Sequence, residues 1–420
     1  MAVSLMPTAR IIGAGLAGLS AAVELAGKGW SVSIDEAAAR AGGRCRSYHD
    51  PQLDMVIDNG NHLVFSGNQA VGAYLAKIGA TDRLTGPAHC AFDFHDLRDD
   101  SRWRLAPNDG PLPWWVLSKA RRTPGTALGD HIPLARLMRA QGSERVDHIV
   151  PTKGALWERL ADPVLLAALN VAPAEGSARL AGRVIAESLA RGGLASRPMI
   201  ATPTLDAAFI DPALTWLALK RTIPTFGRRL RAIRFSDSSV TALDFGDGPE
   251  PIHDEVVILA VPPWIAGELV PGLTVPIQQS SILNAHFACA PPKDVPALTA
   301  LIGGLAQWVF AFEDRISVTI SAADAVVDQD RETLARVIWA DVAGTYGLRN
   351  DMPRWQIVKE KRATFAATPE QDARRPGSVT RWSNLFLAGD WTQTNLPATI
   401  EGALRSGVTA AGFARRMQTG

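Results

Sequence analysis

What most limits the fold of this chain lies in its first forty residues. Ala9–Ile12 is a short apolar run, Gly13-Ala14-Gly15-Leu16-Ala17-Gly18 follows, and Leu16–Ala26 carries apolar residues at helical spacing. Strand, glycine turn and helix in that order form a cradle for a diphosphate. Gly13 permits the tight turn, Gly15 lets backbone come close to the anion, and Gly18 lets helix and strand pack. The amides of Leu16 and Ala17 open the helix, whose N-terminus faces the negative charge. Trp30–Ile34 reads as the next strand and Glu36 ends it, near the ~20-residue spacing of the acid that binds an adenosine ribose hydroxyl. The plainer alternative, a tight helical connection holding no ligand, does not account for an acid in register.

Bulk properties bound the rest. The 420 residues are enough for two or three domains, and 47% hydrophobic content supplies large cores. A net charge of +1, with acids and bases mixed, leaves no electrostatic footprint for nucleic acid. Cys45, Cys90 and Cys289 are odd in number and far apart, so neither a disulfide framework nor a metal cluster is readable, and a reducing cytoplasm fits. The first ten residues carry no export pattern. Val256–Val261 and Leu301–Phe312 fall short of the ~20 residues that span a bilayer. No basic amphipathic helix stands out, yet a protein handling lipid must collect it somewhere, so contact with the inner face of a membrane stays open.

The glycine turn does not separate NAD from FAD. Gly42-Gly43-Arg44 places two permissive glycines and a guanidinium just after the ribose acid, where a second approach to a diphosphate or a flavin edge needs them. The alternative for Arg44 is pairing with a core carboxylate. Near the other end, Asn384–Leu387 leads to Ala388-Gly389-Asp390-Trp391, and Pro397-Ala398-Thr399-Ile400-Glu401-Gly402 opens a helix. The amides at Thr399 and Ile400 suit the pyrimidine edge of a flavin, and Asp390 suits a ribityl hydroxyl.

An N-terminal dinucleotide fold paired with this C-terminal segment resembles the FAD-dependent amine oxidase and phytoene desaturase superfamily. The resemblance implies FAD as cofactor and a backbone contact from Leu230 to adenine. It also implies an α/β architecture in which a Rossmann-like domain of amine-oxidase type carries an inserted α+β substrate domain. The motifs place the cofactor domain in residues 1–85, 220–285 and 375–420, with 86–219 and 286–374 forming the substrate domain. No cysteine stands in the C-terminal segment, so the FAD is expected to be noncovalent.

Asp58-Asn59-Gly60-Asn61-His62, Gln307–Phe310, Glu360–Pro369 and Leu396–Gly402 resemble, within that superfamily, the squalene-associated desaturases now understood as hydroxysqualene dehydroxylases. Asn61 stands where that family carries Gln. Asn395 replaces a common Gly, and Asn best tolerates positive φ. Arg98–Asp147 matches no family segment and is read as part of the substrate domain or a mouth over it.

The resemblance implies reductive removal of a hydroxyl from hydroxysqualene, with the electron donor left open. His62, Asn61 and Asp58 are the catalytic candidates. His62 is chosen because an imidazole titrates near neutrality, although a loop histidine satisfying backbone groups is an equal alternative. Asp58 is read rather as ordering its own turn through an Asx bond. Asn59 and Gly60 join the cofactor set, and Trp308, Trp391, Leu396 and Pro397 are placed at the substrate pocket. Two other functions compete, an oxidising desaturase or amine oxidase and a prenyl-lipid carrier without redox chemistry. No lysine stands in the setting an amine oxidase uses, and Glu36, Arg44 and Asp390 argue against the carrier.

Overall fold

A computed structural model describes residues 6–419, with side chains described over 6–417. The expectation for the first ten residues therefore lies partly outside the described residues. Four parallel strands form the cofactor sheet, in the order Leu385–Leu387, Val256–Leu259, Thr8–Ile12, Ser31–Asp35. All four residues of Val256–Leu259 are buried, as befits a central parallel strand covered on both faces. The Leu16–Ala26 helix is buried at every position but Glu24. Its small residues let the C-terminal Ile400–Thr419 helix lie directly on it. A Cβ on Gly407 would overlap the carbonyl of Ala17, and the Ser20 hydroxyl donates to the Leu404 carbonyl at 2.8 Å.

A second sheet of seven strands runs Trp355–Phe365, Gln279–Phe287, Ile316–Ile320, Trp308–Ala311, Leu298–Ile302, Phe92–Asp96, Ser101–Leu105. The Arg331–Tyr346 helix covers one face through Leu334, Ile338, Trp339 and Val342. An aromatic cluster holding Phe92, Trp308 and Phe310 forms a separate core. Residues 156–194 form a series of short helices rather than one long one, because Asn170 turns left-handed at φ 54° and Pro173 follows.

Two expected boundaries shift. Gln279–Phe287 pairs along Trp355–Phe365 in the seven-stranded sheet, so 279–285 does not belong with the cofactor sheet. Leu205, Phe209 and Leu217 are buried in the same core as Leu19 and Val23, so the end of segment 86–219 packs on the cofactor side. Apolar spacing along a chain carries no address for which core an element joins.

Candidate active site

The glycine turn leaves space where a diphosphate needs it. Gly13 holds φ +108°, and a Cβ there would lie 2.5 Å from the Ala260 oxygen. A Cβ on Gly18 would overlap the Gly13 oxygen. Gly15, the N-cap of the helix, has nothing within 4 Å of its Cβ position, whereas a Cβ on Gly43 would lie 3.5 Å from the Gly15 Cα, so the two glycine turns touch. No side chain caps the helix, so the first-turn amides of Leu16, Ala17 and Gly18 remain for an anion.

Glu36 sits at the rim of this turn. Its carboxylate oxygens accept from the Ala14 and Ala38 amides at 2.7 Å each. The irregular segment leading to Leu230 runs beside it, the Arg228 amide donating to the Glu36 carbonyl at 2.8 Å. Leu230 itself is buried. On the other side the Gly42 amide donates to Ala14 O at 2.9 Å, bringing the Gly42-Gly43-Arg44 turn over the cradle.

Arg44, expected at a phosphate or flavin edge, is held by protein partners at the side of the cradle. It grips both oxygens of Asp390 and donates to the Ala363 carbonyl. The carboxylate-pairing alternative is thus the observed one, and it joins the two ends of the chain. Asp390 is buried and engaged, and the Gly389 amide donates to Ser406 Oγ at 2.8 Å. Sequence reading missed Arg375, whose buried guanidinium donates to the carbonyls of Asp390 and Thr392 and so fixes this loop. It also missed the duty of Glu401, which accepts from the Ala70 and Val71 amides at 3.0 Å and caps the Gln69–Ile78 helix.

Trp391 does not line the pocket. It is buried, and its indole donates to the Val261 carbonyl at 2.9 Å beneath Gly389. A tryptophan following the strand end turns inward because its ring fills the gap left by Gly389. Leu396 and Pro397 are both buried, and Asn395 adopts φ 63°. Thr399 Oγ1 accepts from the Gly402 amide at 3.0 Å and caps the helix that Ile400 opens.

The loop after the Met55–Asp58 strand is anchored at each end. Asp58 makes no Asx turn; its Oδ1 accepts from Ser47 Oγ at 2.6 Å and from the Leu205 amide at 2.9 Å. Burial raises its pKa despite these bonds. Asp206 accepts from the Ser47 amide at 2.9 Å and is pushed up to about 6, chiefly by burial, a perturbation invisible in sequence. Asn59 is buried, its amide donating to Arg46 O at 2.9 Å. Gly60 lies against the Asn284 side chain. Asn61 donates from Nδ2 to Thr319 Oγ1 at 3.1 Å, and Thr319 donates to Asn284 Oδ1 at 2.8 Å. These partners come from the seven-stranded sheet, so the loop bridges both domains.

His62 is only half-buried by surface, yet dense protein around it, and then the Arg44 cation, lower its pKa from 6.5 to about 4. The expected titration near neutrality is therefore corrected: at pH 7 this imidazole is neutral. Directly after it, Leu63 and Phe65 pack on the aromatic core of Phe92, Trp115, Leu160, Trp308 and Phe310. Trp308 meets Phe94 edge to face at 6.2 Å. An apolar, aromatic core thus begins where the polar loop ends.

A parallel-sheet cradle for a dinucleotide, closed by the chain's C-terminal helix and set against a mostly antiparallel sheet, defines a two-domain flavin-dependent oxidoreductase. The open space at the Gly15 Cβ position, the uncapped helix and the Glu36 carboxylate fit FAD. The chain belongs to the flavin containing amine oxidoreductase family, whose model matches residues 16–412, and within it to the hydroxysqualene dehydroxylases. It is 50% identical to the hydroxysqualene dehydroxylase of Rhodopseudomonas palustris over 96% of this chain and 97% of that one. The Zymomonas mobilis enzyme of the same name is 47% identical over 97% and 99%. Cyclohexylamine oxidase from Brevibacterium oxydans shares the fold at TM-score 0.71 and 14% identity, covering 98% and 99% of the two chains.

Proposed function

We propose that this chain removes the hydroxyl group of hydroxysqualene reductively, giving squalene and water. The observation that carries the reading is the apolar, aromatic wall starting at the His62 loop, in a chain half identical end to end to hydroxysqualene dehydroxylases. The balance is simple: the C–O bond breaks, one hydride goes to carbon, and one proton leaves with oxygen as water. Bound FAD, once reduced by an external donor, supplies the hydride.

The chain's own residues do the rest. Phe65, Trp308 and Phe310 belong to a wall that excludes water and offers ring faces to a cation-like transition state. His62, neutral at pH 7, hydrogen-bonds the departing hydroxyl and adds no positive charge beside that centre. Asn61 is held by Thr319 and steadies the loop.

The test is anaerobic incubation of chemically reduced protein with hydroxysqualene, followed by product analysis. Squalene with stoichiometric flavin oxidation is expected. Unchanged hydroxysqualene, together with aerobic desaturation of phytoene, overturns the proposal in favour of an oxidising desaturase.

A further inference from the structure

Exposed apolar side chains gather at one place that the reaction does not use. Leu112 is 60% exposed, Trp114 62%, Leu117 57% and Ile132 56%. They sit on short helical turns, Trp114–Leu117 and Leu128–Leu137, held together by an edge-to-face contact of Trp115 with His131 at 5.7 Å. Leu194, 59% exposed, is tied to the same place, its amide donating to the Asp109 carbonyl. Exposed side chains of this size bury nothing in the monomer and stand out as an interaction patch.

Charge selects the partner. Residues 111–142 hold Lys119, Arg121, Arg122, Arg136 and Arg139 against a single acid, Asp130, in a chain whose net charge is only +1. Lys119, Arg121, Arg136 and Arg139 are exposed and have no ion-pair partner among the described residues. Apolar tips with an interfacial tryptophan, ringed by unpaired cations, match the surface of an anionic bilayer. The patch is also continuous with the aromatic core next to the His62 loop, because Trp115, next to Trp114, is buried with Phe92 and Trp308.

We propose that this face docks on anionic lipid membranes and that an apolar substrate enters between Trp114 and Ile132. The docking surface stands on exposure and charge; only the entry of substrate rests on the proposed dehydroxylation. The same feature escaped sequence reading because no single helix carries it.

The test is co-sedimentation of the holoenzyme with vesicles of neutral phosphatidylcholine, or of phosphatidylcholine mixed with phosphatidylglycerol. Wild type is expected to pellet with the anionic vesicles and to be released by salt. Removing one cation, as in Arg121→Ser, lowers binding about fivefold. A Trp114→Ser/Leu117→Ser/Ile132→Ser variant stays in the supernatant and keeps its flavin spectrum. Wild type that ignores anionic vesicles overturns the proposal, as does a wild-type dimer that the triple variant abolishes while vesicle binding persists. If both proteins fail on detergent-delivered hydroxysqualene while wild type still binds vesicles, the proposed reaction fails and the docking surface stands.

Discussion

Arg44 and Asp390, from opposite ends of the chain, meet in a two-pronged contact of 2.8 and 2.7 Å. The guanidinium is 42% exposed toward the cleft, whereas the carboxylate is almost fully covered. Arg44→Met therefore leaves a buried charge partly hydrated, costing about 1–2 kcal/mol, discounted from the 3–5 of a fully enclosed pair. FAD affinity is expected to fall at least tenfold, and Arg44→Lys rescues little because one ammonium cannot replace a planar fork. Flavin titration followed by fluorescence checks this; wild-type affinity in Arg44→Met contradicts it.

Gly15→Ala and Gly18→Ala should part company. The first adds a methyl into open space at φ −74°, so the apoprotein keeps its melting temperature but loses FAD. The second drives a methyl into the Gly13 carbonyl and costs roughly 1–3 kcal/mol of stability. Thermal melting with and without FAD separates them, and equal apoprotein melting points would refute the assignment.

His62→Ala should bind FAD normally and lose most turnover. Since the folded imidazole titrates at about 4, wild-type kcat/KM should show no inflection near 6.5 that belongs to this residue. An inflection there that vanishes in His62→Ala argues for a protonated catalytic form instead.

Acid stability carries a defined sign. Burial holds His62 at about 4 and His286 at about 3, whereas the unfolded chain protonates both below about 6.5. The unfolded state thus gains protons first, and both groups withdraw stability as pH falls from 6.5 toward 4 and then 3. Asp206, pushed up to about 6, acts oppositely over the upper part of that window. The discriminating quantity is therefore the difference between wild type and His286→Gln. Melting temperatures should diverge less steeply with acid in the variant, and parallel curves would sink the idea.

Denaturation should release all yellow chromophore. Cys45 is the cysteine beside the cradle, but it is buried and its thiol is pushed well above its ordinary pKa, so it stays inert. Colour retained on the precipitated chain would show a covalent link.

The cofactor half was largely legible in the sequence because its signals are local. The helix expected over Leu16–Ala26 is the helix observed, and the positive φ at Asn395 follows from residue type. What was illegible depends on long-range partners. Asp58 reads as a turn former until Ser47 and Leu205 are seen to claim it. Arg44 reads as a phosphate ligand until Asp390 is found beside it. Burial, which is the largest cause of the shifts at His62 and Asp206, has no local signature.

The seam between the Leu16–Ala26 and Ile400–Thr419 helices has a kinetic corollary. Because the first helix of the cradle is roofed by a helix that lies far later in the chain, a nascent chain waits until that later helix has been made before it closes around coenzyme. Products cut short before Ile400 should emerge colourless, so coenzyme uptake doubles as a check that synthesis has passed this helix.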